Sequence, residues 1–95
     1  MRFIHPGEIL REEVIKSNDL TITKAAELLG ISRQTLTHIV NEKSDITPDM
    51  AFRIAKVFGG TADIWANLQT KYNLHLGSIR AKELDLKPFQ YDKTA

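Results

Sequence analysis

The sequence predicts an all-α fold: five short helices followed by a tail. Three observations carry this. Apolar residues recur at i, i+3 and i+4, the spacing of one helix face, from Ile9 to Tyr72. Each run is bounded by residues that start or stop helices, among them Pro6, Gly30, Ser32, Thr47-Pro48 and Gly59-Gly60. No alternating strand pattern competes with them over that stretch.

The first helix is expected to open at Pro6, whose missing N–H costs nothing in a first turn. It runs to about Lys16, burying Ile9, Leu10 and Val14, with Ile4 placed to staple back onto it. Ser17-Asn18-Asp19 ends it. A second helix is expected to open at Thr23 as its cap, with Ala25, Ala26, Leu28 and Leu29 as its apolar face and Gly30 as its stop. Ser32 caps a third, with Leu36, Ile39 and Val40 buried and fraying at Asn41-Glu42-Lys43. Thr47-Pro48 opens a fourth, burying Ala51, Ile54, Ala55 and Phe58. Thr61, with Asp63 suiting the helix dipole, opens a fifth that carries Ile64, Trp65, Leu68 and Tyr72. Gly77 is expected to interrupt the chain beyond that helix. Ile79 to Leu86 fits either helix or strand, and Pro88 ends it. The division is a helical domain over residues 1–74 and a tail over 75–95, ordered by a partner or by a second copy.

Composition narrows the functional classes. The chain has 95 residues, 42% of them hydrophobic and 26% charged, with no cysteine. That describes one globular domain without disulfide, thiolate or cysteine–zinc chemistry. No apolar run approaches the length of a membrane span, and Met1 to Pro6 does not resemble a signal peptide, so a cytoplasmic address is expected. His5, His38 and His75 are scattered, and no metal-binding spacing is present; His5 reads as a helix-start residue. Glu12 and Glu13 are adjacent and diverge on a helix, and Asp63 with His75 would need a fold contact to act together. No catalytic group, cofactor or small-molecule substrate is therefore expected. The net charge of +1, with no basic block, counts mildly against nucleic acid.

The informative segment is Ile22 to Asn41. Two helices are joined only by Gly30-Ile31-Ser32, so they must cross steeply. Ala26 must be small where the next helix passes; Gly30 turns the chain; Ile31, Leu36 and Ile39 lock the second helix of the pair onto the first. This is a helix-turn-helix pattern. On the face opposite Leu36 lie Gln34, Thr37, His38 and Asn41, a set of neutral hydrogen-bonding side chains of modest bulk that a major groove accepts. Arg33 can pair with guanine, Gln34 with adenine, and Thr35 can meet a thymine methyl or a phosphate. The base-reading candidates are Arg33, Gln34, Thr35, Thr37 and His38. The phosphate-contact candidates are Thr23, Ser32, Asn41 and Lys43. Ala26, Gly30, Leu36, Ile39, Trp65, Leu68 and Tyr72 are assigned to core or dimer interface. A purely structural helical hairpin, with Gln34, Thr37 and His38 as solvated surface, is the plainer alternative. With so little positive charge, DNA binding calls for a two-fold dimer reading two half-sites.

Four segments resemble the HigA family of antitoxins, a branch of the phage-repressor-like helix-turn-helix proteins, over about residues 4 to 76. They are His5-Pro6-Gly7-Glu8-Ile9-Leu10, Ala25 to Leu36, Ile46 to Ala55, and Trp65 to Leu74. The resemblance implies a five-helix core, a homodimer, and operator DNA read by the third helix. It also implies a partner toxin of the HigB type, a small ribosome-dependent mRNA endonuclease, with toxin and antitoxin together repressing their operon. Glu42-Lys43-Ser44-Asp45 departs from the pattern, standing where many relatives carry a glycine and an arginine after the asparagine. The alternative is a stand-alone regulator of the same fold with no toxin.

Overall fold

In the computed structural model, which describes residues 3–92, the chain is helical with no strand among the described residues. Helix α1 begins as an α-helix over Pro6–Ile9, widens to a π-helix over Leu10–Ile15, and tightens to a 3₁₀ turn over Lys16–Asn18. Asp19, in the left-handed region at φ 55°, ends it. The changing pitch lets both Leu10 and Ile15 enter the core, which a regular helix would not allow for residues five apart. His5 caps α1, its Nδ1 accepting from the Gly7 N–H at 2.9 Å. The imidazole is buried, edge-on to Tyr72.

Helix α2 spans Ile22–Leu29, α3 Arg33–Val40, α4 Pro48–Phe58 and α5 Ala62–Ala81. Ser32 and Thr47 cap α3 and α4 as expected. The cap of α2 is Thr21, not Thr23. Thr21 is extended and accepts from the Lys24 N–H at 3.0 Å, while Thr23 lies exposed inside the first turn. The helix starts early because Ile22 packs against the core.

The core gathers Leu10 and Ile15 of α1, Ala25, Ala26 and Leu29 of α2, Leu36, Ile39 and Val40 of α3, Met50, Ala51 and Ile54 of α4, and Trp65 of α5. Leu68 packs at its edge and Tyr72 is half-buried. Leu28 and Ile64, expected inside, are exposed, and Ala55 and Phe58 are only partly buried. Leu28 lies next to Leu29, which takes the inward direction, and Ile64 is displaced in the same way by Trp65. Gly77 does not interrupt α5, which continues to Ala81 and crosses the expected division at residue 74. Glycine lowers helix stability by only about 1 kcal/mol, and Leu76 keeps the helix partly covered there. Beyond Leu84 the described tail is irregular and exposed, and residues 93–95 of the expected tail lie outside the described residues.

A network joins the start of α4 to α5. Gln69, buried, accepts from the Ile46 N–H at 2.8 Å and donates to Asn73, which donates to Asp45.

Candidate nucleic-acid interface

The turn between α2 and α3 is built by Gly30 in the left-handed region at φ 69°, a conformation costly for a residue with a Cβ. Its N–H and that of Ile31 return to Glu27 and Ala26, closing α2. Ser32 then opens α3, its Oγ accepting from the Thr35 N–H at 3.0 Å and donating to Thr35 Oγ1 at 2.8 Å. Leu36, Ile39 and Val40 anchor α3 from within, so its opposite face must be presented outward.

That face brings four of the five base-reading candidates together. Arg33, Gln34, Thr37 and His38 line one shallow open depression. The side chains of Arg33, Gln34 and His38 make no hydrogen bond to another described residue, so their donors and acceptors are available to a ligand. Thr37 spends its hydroxyl proton on the Arg33 carbonyl at 2.8 Å and keeps only acceptor capacity. Thr35 stands apart from the depression, and its hydroxyl is engaged with Ser32. Arg33 and Thr37 also border a cleft walled by Arg11, Lys16, Thr21 and Asn41, which places two further cations beside the face. Lys16 and then Arg11, both bonded to Glu12, hold its carboxyl below the usual carboxylate range.

Of the phosphate candidates, Thr23, Ser32, Asn41 and Lys43 are all exposed. Asn41 ends α3, and the chain leaves it by a backbone loop in which the Glu42 N–H bonds Ile39 and the Lys43 N–H bonds His38. Glu42 occupies the left-handed position of that loop at φ 62°. The departure from the family pattern at Glu42 therefore falls on a backbone position that favours glycine.

Sequence reading did not single out Arg11, Thr21 or Arg53. Arg53 Nη1 donates to the carbonyls of Leu29 and Gly30, and its Nε donates to Asp49. The Asp49–Arg53 spacing of four was a visible signal for the ion pair. Its reach to the turn was not, because it depends on how α4 crosses α2.

Two helices joined by a glycine turn, the second anchored by aliphatics and offering a polar outer face, define a helix-turn-helix protein. The helix-turn-helix family model matches residues 10–65, and the chain belongs to that family. Virulence-associated protein I of Dichelobacter nodosus is 45% identical over 86 residues, covering 90% of this chain and 80% of that protein. An uncharacterized HTH-type transcriptional regulator of Haemophilus influenzae is 46% identical over 68 residues, covering 72% of this chain and 64% of that protein's length. Among solved structures, the Pseudomonas aeruginosa antitoxin HigA with the higBA promoter matches at a TM-score of 0.85 and 36% identity, covering 94% of this chain and 100% of that one. The resemblance to HigA antitoxins seen in the four sequence segments thus extends to the fold.

Proposed function

We propose that this protein is a DNA-binding transcriptional regulator that reads operator DNA as a homodimer, with α3 in the major groove. The observation that carries this is the exposed face of α3, where the side chains of Arg33, Gln34 and His38 make no hydrogen bond to another described residue, beside Thr37. Arg33 and Gln34 read bases; Thr35, Thr37 and His38 complete the reading set; Thr23, Ser32, Asn41 and Lys43 meet phosphates. The HigA antitoxin structure with its promoter supports the same role here. By the same likeness, the protein neutralises a HigB-type mRNA endonuclease and, with it, represses its own operon in the cytoplasm. Residues 1–74 carry DNA binding, and residues 75–95 serve the partner or the second copy. A stand-alone regulator without toxin is the second reading, favoured by the Haemophilus influenzae relative named as a transcriptional regulator.

The test is Arg33→Ala with Gln34→Ala, measured on the promoter of the protein's own gene. Operator affinity is expected to fall by roughly 1–3 kcal/mol per lost base contact with the helical circular-dichroism signal intact. Unchanged affinity would show that α3 is not the reading helix. Co-purification with the product of the adjacent gene, and relief of that product's toxicity, separates antitoxin from stand-alone regulator.

A further inference from the structure

The helix-turn-helix is held at both ends by arginines from neighbouring helices. Ahead of α3, Arg53 Nη1 donates to the carbonyls of Leu29 at 2.9 Å and Gly30 at 3.0 Å. Its Nε is fixed by Asp49 Oδ2 at 2.8 Å. The guanidinium thus covers the carbonyl end of α2, where a cation is favoured, and grips the turn that leads into Ser32 and Arg33. At the far end, Arg11 Nη1 donates to the carbonyl of Val40, the last residue of α3, while its Nε is held by Glu12 at 3.0 Å. Beside it, Gly7 lies so close to the Ile39 carbonyl that a Cβ there would stand 1.9 Å from the oxygen. The two arginines share one construction. A carboxylate on the same helix orients the guanidinium, and a main-chain carbonyl of the helix-turn-helix receives it.

We infer that Arg11 and Arg53 are positioning residues for DNA reading. They set the pose of α3 at its two ends, and with it the register of Arg33, Gln34 and His38 against base edges. This rests on the operator-binding reading above. In both arginines Nε is committed to a carboxylate and Nη1 to a carbonyl, and with Nη2 alone uncommitted to the described residues their main contribution is geometric. A lysine, a single ammonium without the planar fork, does not reproduce it.

The experiment measures Arg11→Gln, Arg53→Gln, Arg53→Lys and Asp49→Asn against a promoter duplex and a scrambled duplex over a range of salt. Melting curves fix a temperature at which every variant is folded. Operator affinity is expected to fall about tenfold, the scale of one lost base contact. Affinity for scrambled DNA and the slope of log affinity against log salt stay near the unmodified values, because no counterion-releasing contact is lost. Arg53→Lys does not restore the operator preference, and Asp49→Asn, which keeps the arginine, lowers it. Equal losses on both duplexes with the slope reduced by about one would mark phosphate contacts and overturn the inference. Full rescue by Arg53→Lys would overturn it too, since charge alone would then suffice. If the unmodified chain binds the promoter and the variants match it, only this inference falls. If the unmodified chain does not bind, the operator-binding reading falls with it.

Discussion

At single residues, two backbone positions carry more than their side chains suggest. Glu42 sits in the left-handed region with two reverse hydrogen bonds closing around it. A residue with a Cβ is strained there by about 1 kcal/mol relative to glycine. Glu42→Gly is therefore expected to raise stability by about 1 kcal/mol in urea unfolding. A loss of stability would mean the Glu42 side chain contributes a contact that outweighs the strain. Gly7 presents the opposite case. Its backbone is ordinary, but the Ile39 carbonyl occupies the place of a side chain. Gly7→Ala must push α1 away from the end of α3, and by analogy with overpacked cores it should cost about 1–3 kcal/mol. Because the strain lands on α3, the same variant should weaken operator binding at temperatures where it is folded. The contact links a glycine in the opening His5-Pro6-Gly7 segment to the pose of α3.

The helices differ in how their ends are closed, and this makes a comparison within one molecule. Thr47 caps α4 by accepting from the Met50 N–H at 3.2 Å, whereas Thr61 starts α5 with no side-chain cap. Thr47→Ala should cost about 1 kcal/mol and Thr61→Ala close to nothing, measured by thermal melting. Equal effects would show that the hydroxyl at Thr61 makes its bond in solution. The same comparison explains what was legible in the sequence. Ser32 and Thr47 were readable as caps because each is followed at once by an unambiguous helix start. Thr21 and Thr23 are two residues apart, both chemically suited to capping, and local chemistry alone does not choose between them. The choice is made by Ile22, which must join the core, and that is a tertiary fact. Gly77 misleads for a related reason: a glycine stops a helix only where the chain needs to turn, and α5 has no such need. The outward face of α3 was legible because Leu36, Ile39 and Val40 fix its inward side, which leaves Gln34 and His38 outward. The arginine contacts were not, because they join positions more than twenty residues apart.

For the whole molecule, the accessible surface is 7171 Å², against about 5,500 Å² expected of a compact chain this size. The radius of gyration is 17.8 Å, against about 12 Å for a globular chain of this length. The excess belongs to the far half of α5 and the tail, where Ile79, Leu84, Leu86, Phe89 and Tyr91 are exposed. These large apolar side chains, exposed on one segment, are a surface that a second copy would cover, which supports the proposed homodimer. A dimer also answers the charge. With a net charge of +1, one copy has little general attraction for DNA, and in the proposed dimer two linked half-site contacts would supply what a basic surface does not. Ending the chain after Ala81 together with Ile79→Asp separates these contributions. Residues 82–92 are exposed throughout, so the melting of the helical body should change by about 1 kcal/mol at most. Sedimentation velocity should find a monomer at concentrations where the full chain is a dimer. Operator affinity should fall by about 10²- to 10⁴-fold as the second half-site ceases to be tethered. A shortened chain that still sediments as a dimer would move the interface to the exposed Phe52, Val57 and Ile64 on α4 and α5. The tail would then be left to a different partner.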